Sequence, residues 1–68
     1  MPQTMTVGEK AESLGATLGG GINWTWADAF PTEAAATEFD EWCNANGYET
    51  RGVYANTPEP GKYSVRFR

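Results

Sequence analysis

Between Thr32 and Tyr48 (TEAAATEFDEWCNANGY) apolar residues recur at helical spacing, and the segment carries both a start and a stop signal. At about 3.6 residues per turn, Ala35, Ala36, Phe39, Trp42, Cys43 and Asn46 share one arc. Glu33, Thr37, Asp40, Glu41 and Asn44 share the opposite arc, and Glu38 flanks it. Pro31 keeps Phe30 out of the helical region, Thr32 is a good N-cap, and Glu33 falls in the first turn, where the helix dipole favours an anion. At the far end Asn46-Gly47-Tyr48 reads as a C-cap, with Gly47 left-handed and Tyr48 folding back towards Cys43. One face of this amphipathic helix serves a core and the other is acidic.

Outside it the pattern is strand-like. Residues 1–11 show no periodicity and read as a flexible arm or weak edge strand, leaving 12–68 as the domain. Glu12 to Leu18 (ESLGATL) alternates loosely, with Leu14, Ala16 and Leu18 on one side. Gly19-Gly20-Gly21 reads as a hairpin turn rather than a phosphate loop, because no Gly-Lys-Ser/Thr leads into a helix. Ile22-Asn23-Trp24-Thr25-Trp26-Ala27 then alternates, placing Ile22, Trp24 and Trp26 together; a domain this small has little else to bury, so they are assigned to the core, against Phe39 and Trp42. The competing reading of the two tryptophans is an exposed platform that stacks bases or sugars. Tyr48 to Ala55 is rich in β-formers, 56–61 (NTPEPG) is a loop, and Lys62 to Arg68 (KYSVRFR) alternates with Tyr63, Val65 and Phe67 inward. The expected fold is α+β: about four antiparallel strands in ββαββ order, packed on one amphipathic helix.

Composition narrows the chemistry. The chain has 68 residues, one cysteine and no histidine. An internal disulfide is therefore impossible, and a Cys/His zinc site is excluded. Cys43 lies on the apolar arc among carboxylates that raise its pKa, as an inert thiol rather than a nucleophile. Ser13 and Ser64 have no histidine to activate them. Carboxylate pairs such as Asp40 with Glu41 fall on one helix face instead of opposing each other across a cleft. No EF-hand spacing occurs. These observations predict a protein that is not an enzyme and uses no cofactor or metal. Met1-Pro2-Gln3-Thr4 opens no export signal and no apolar run spans a bilayer, so the expected location is cytoplasmic, that of the host cell if phage-encoded.

The net charge is −4, unevenly placed. From Asp28 to Glu49 there are six acids (Asp28, Glu33, Glu38, Asp40, Glu41, Glu49) and no base; from Arg51 to Arg68 there are four bases (Arg51, Lys62, Arg66, Arg68) against Glu59 alone. The acidic set can dock on the basic nucleic-acid-binding surface of a larger host protein or nucleoprotein complex, displacing the polyanion. The basic set, with Tyr54 or Tyr48 to stack, offers a single-stranded nucleic-acid or glycan site.

The run from Phe30 to Arg68 resembles the strand-helix-strand-strand half of SPOR domains. Its alanine-rich helix ends in Gly47-Tyr48, and a later strand reads Tyr63-Ser64-Val65-Arg66-Phe67. The resemblance implies four antiparallel strands backed by helices and a groove for peptidoglycan glycan strands. Small size, acidity and a single cysteine are together frequent among phage and mobile-element inhibitors of the anti-CRISPR or anti-restriction type. The first functional expectation is such an inhibitor, a protein-binding module that makes no membrane contact and acts through its acidic residues. The alternative is binding of single-stranded nucleic acid or glycan through the aromatic and basic strands. A third is a homodimer pairing along Lys62 to Arg68.

Overall fold

A computed structural model describes residues 5–68. Helices α1 (Val7–Ser13) and α2 (Glu33–Ala45) accompany strands β1 (Thr17–Gly20), β2 (Thr25–Phe30), β3 (Thr50–Ala55) and β4 (Tyr63–Phe67). The strands form one antiparallel sheet in the order β1-β2-β4-β3. The α+β class holds, with one more helix than the pattern predicts. β4 lies between β2 and β3, paired on both sides. The homodimer contact expected along Lys62 to Arg68 therefore has no free edge to use.

The long helix forms as its sequence requires. The Ala35 N–H donates to the Thr32 hydroxyl. At the other end Gly47 adopts φ 88°. There the Tyr48 N–H donates to the Cys43 carbonyl at 2.9 Å and the Gly47 N–H to that of Asn44 at 3.5 Å, the paired bonds of a Schellman ending. Ala36, Phe39 and Cys43 are fully buried beneath it.

The expected arm is a helix from Val7 onwards; residues 1–4 of it lie outside the described residues. A reciprocal cap starts α1: the Glu9 N–H donates to the Thr6 hydroxyl at 3.2 Å, and the Thr6 N–H to Glu9 Oε1 at 2.8 Å. Ala11 is its one fully buried residue, with Val7 and Leu14 packed beside it, so its apolar stripe is only two turns long. Glu12 and Ser13 consequently end a helix rather than begin a strand.

Gly19 and Gly20 are strand residues, and the hairpin tip is Ile22-Asn23, closed by the Gly21 N–H on the Trp24 carbonyl at 2.8 Å. A methyl group at Gly21 would stand 2.5 Å from that carbonyl oxygen and 2.8 Å from Trp26 Nε1, so only glycine fits.

The face of β2 is opposite to the expected one. Ala27 and Phe30 are fully buried, whereas Ile22 is 99% exposed. The pairing of β2 with β4 shifts between Ala27 and Phe30, where Ala29 adopts φ 73°. This bulge adds one residue, so Phe30 returns to the side of Ala27. Phe39 is the hub of the core. Its ring lies 5.3 Å from Phe30, 6.4 Å from Trp42 and 5.5 Å from Phe67. Neither Trp24 nor Trp26 belongs to it.

Candidate functional site

Both helices contact the sheet from the side of Ala27, Phe30, Val65 and Phe67, and no described helix covers the opposite face. Strand alternation and register define what that face presents. At one end Trp24, Arg68 and Glu49 form a row, because Thr25 pairs with Phe67 and the Glu49 and Arg68 backbones exchange two hydrogen bonds of 2.9 Å. Next come Trp26 and Arg66, partners across β2 and β4. On β3, Arg51 and Gly52 both fall opposite Arg66, since pairing shifts between Thr50 and Val53 and Gly52 adopts φ 88°. The third row holds Asp28, Ser64 and Tyr54.

Rings and guanidinium groups alternate on this face. The Arg66 guanidinium carbon lies 3.5 Å from the Trp26 ring centroid and 4.5 Å from that of Tyr54, and the two rings are 6.5 Å apart. Arg66 Nε is buried without a hydrogen-bond partner, so the rings, not a carboxylate, hold this cation. Arg68 stands 4.2 Å over Trp24, and Arg51 stands 5.5 Å over the same ring. Arg68 Nε also donates to Glu49 Oε1 at 3.0 Å. In the third row the Ser64 hydroxyl is 2.8 Å from Asp28 Oδ1 and 2.7 Å from the Thr57 carbonyl oxygen.

Of the basic residues singled out from sequence, Arg51, Arg66 and Arg68 are thus gathered around two tryptophans. Lys62 precedes β4 at the other end, about 13 Å along the strand from Arg66 at 3.3 Å per residue. Tyr54 belongs to the cluster. Tyr48 does not: it stacks on Trp42 at 6.2 Å and meets Phe67 edge-on at 5.6 Å, within the core side.

The six acids do not share one face. Asp28 and Glu49 lie on the sheet face just described, one bonded to Ser64 and the other to Arg68. Glu33, Glu38, Asp40 and Glu41 lie on α2. Glu38 bonds Lys10 at 3.0 Å, joining the two helices. Glu33 and Glu41 are exposed, while Asp40 is half-buried.

Cys43 is fully buried, and burial, reinforced by the Asp40 carboxylate, pushes its thiol up to about 12. Among the described residues there is no group of three His, Cys, Asp or Glu side chains placed to hold a metal, and no pocket. No described helix is long and apolar enough to cross a membrane. No protein-family model, curated protein or solved structure matches the chain. The structure shares with the SPOR expectation only four antiparallel strands backed by helices.

The sequence offered one usable signal for this site: Trp24 and Trp26 two apart on a strand, with Arg66 and Arg68 two apart on another. What it lacked was the pairing of those strands, which brings both sets together.

Proposed function

We propose that the protein binds single-stranded nucleic acid on the uncovered face of its sheet. One observation carries this reading: Trp24, Trp26 and Tyr54 lie on that face interleaved with Arg51, Arg66 and Arg68. Unpaired bases stack on aromatic rings and on guanidinium planes, and arginines reach phosphates in two-pronged contacts. Trp24 immediately precedes β2 and Trp26 lies within it, so both stand towards the same end of the face. Duplex ends and grooves present no such splayed bases.

The test is tryptophan fluorescence on titration with a mixed-sequence single-stranded oligonucleotide, its duplex, and a peptidoglycan glycan fragment. The single strand quenches emission, and its binding constant falls with a log-log salt slope of about −1.4, from Arg51 and Arg66 at about 0.7 each, Arg68 being paired with Glu49. Trp24→Ala and Arg66→Ala both weaken it. No quenching by the single strand at low salt refutes the proposal; quenching by the glycan alone, insensitive to salt, transfers the site to sugar.

A second reading, docking on the basic nucleic-acid-binding surface of a larger host protein in the manner of an anti-CRISPR or anti-restriction inhibitor, is favoured by one feature of α2. Glu33, Glu38 and Glu41 are exposed on that helix, which has no basic residue. If it holds, Glu33→Lys with Glu41→Lys abolishes retention of a host complex that survives nuclease treatment.

A further inference from the structure

We propose that Arg68, seated on Trp24, is an anion subsite for a backbone phosphate of the single strand, and that Glu49 occupies this subsite in the free protein. The inference rests on the reading of the sheet face given above. Two backbone hydrogen bonds of 2.9 Å clamp Glu49 opposite Arg68, so their side chains meet without a search through chain conformations. The carboxylate oxygen takes only Nε of the guanidinium, at 3.0 Å. A guanidinium has five N–H donors, and the remaining four have no protein partner among the described residues. Side-chain exposures of 51% for Arg68 and 61% for Glu49 leave the pair open to a ligand.

The Arg68 guanidinium carbon stands 4.2 Å over the Trp24 ring, and Arg51, 5.5 Å from the same ring, adds positive charge without a carboxylate of its own among the described residues. A planar fork seated over an indole with four free N–H groups suits a phosphate, which engages two of them at once. Glu49 then acts as the stand-in for that phosphate. It lowers affinity by holding the cation and by repelling the incoming anion. It also makes binding selective, since a neutral ligand gains nothing by displacing it.

The experiment compares wild-type protein, Glu49→Gln, Arg68→Gln and the double variant in oligonucleotide titrations across a salt series, with Glu59→Gln as the control that removes the same charge from a distant loop. One phosphate contact at about 0.7 in slope, referred to 1 M salt, predicts a gain for Glu49→Gln of about 15-fold at 20 mM and about fourfold at 150 mM. Arg68→Gln abolishes that gain, and Glu59→Gln gives much less of it. Urea midpoints for the variants separate these effects from loss of fold. Unchanged affinity and slope in Glu49→Gln, with wild-type protein still binding, overturns the subsite and leaves the sheet-face reading standing. An equal gain from Glu59→Gln overturns it too, by reducing the effect to net charge. If neither wild-type protein nor Glu49→Gln binds any single strand, both readings fall; binding by Glu49→Gln alone supports both.

Discussion

Trp26 and Phe39 are both large aromatic residues at the sheet, and the structure assigns them opposite energetic roles. Phe39 is fully buried at the centre of three ring contacts. Truncating such a residue removes its transfer free energy and leaves a cavity, at a cost of about 3–5 kcal/mol. A 68-residue domain has roughly 3–10 kcal/mol in total. Phe39→Ala therefore removes between about a third and all of that stability. Trp26→Ala loses the Arg66 stack at 3.5 Å, about 0.5–2 kcal/mol, and the tilted pair with Tyr54 at 6.5 Å, about 0.5–1.5 kcal/mol. Trp26 is only partly buried, on the uncovered face of the sheet, so the space it leaves opens to water and the cavity term is small. The expected loss is about 1–3.5 kcal/mol, leaving a folded protein that binds the single strand more weakly. Urea denaturation followed by far-ultraviolet circular dichroism avoids the altered fluorescence of the variant. A double-mutant cycle with Arg66→Ala should show coupling of about 0.5–2 kcal/mol. If Trp26→Ala is as damaging as Phe39→Ala, the tryptophan is a core residue and the sheet-face argument is wrong; if the cycle is additive, the stacked arginine contributes nothing.

Two further outcomes follow from other parts of the molecule. Thr6→Ala removes the cap that starts α1 and should cost about 1 kcal/mol, with faster amide exchange from Val7 to Ala11; exchange that is already fast in the wild-type protein refutes the helix. Burial and Asp40 push the Cys43 thiol from 9.0 up to about 12, so as pH rises the unfolded chain gives up this proton first. Stability is accordingly unaffected below about pH 9 and falls between about 9 and 12. Urea midpoints at about pH 7 and about pH 10 check the sign: the drop should be smaller in Cys43→Ala, and an identical drop in both proteins would show that the thiol is not responsible.

The helix from Glu33 to Ala45 was readable because cap, stripe and stop all lie within one continuous segment, so local chemistry alone determines it. Tyr63, Val65 and Phe67 were readable for the same reason, as strict alternation on one strand. The orientation of β2 was not. Alternation groups Trp24 with Trp26 and Thr25 with Ala27, but it does not say which group meets the helices. Ala27 takes that position in the core beside Phe30, Phe39 and Phe67. The bulge at Asp28 and Ala29, which returns Phe30 to the inner face, depends on pairing with β4 and leaves no mark on the local pattern. The stripe of α1, Val7, Ala11 and Leu14, is too short to stand out, although it is at helical spacing and Thr6 and Glu9 stand at the spacing of a reciprocal cap.

Inverting β2 also changes what the charge pattern means. Read along the chain, the acids form one block and the bases another. Folding interleaves them: Asp28 and Glu49 join three arginines on the sheet face, while Glu33, Glu38, Asp40 and Glu41 stay on the helical layer. The net charge of −4 is therefore a poor guide to this face, where arginine outnumbers carboxylate and one carboxylate is committed to Ser64. The acidic helix lies on the far side of the sheet, where it repels a polyanion approaching from that direction and leaves the arginine face as the favourable approach. Such a field orients a ligand without adding to contact affinity, so lowering the charge of α2 should change association rate and its salt dependence more than the dissociation rate.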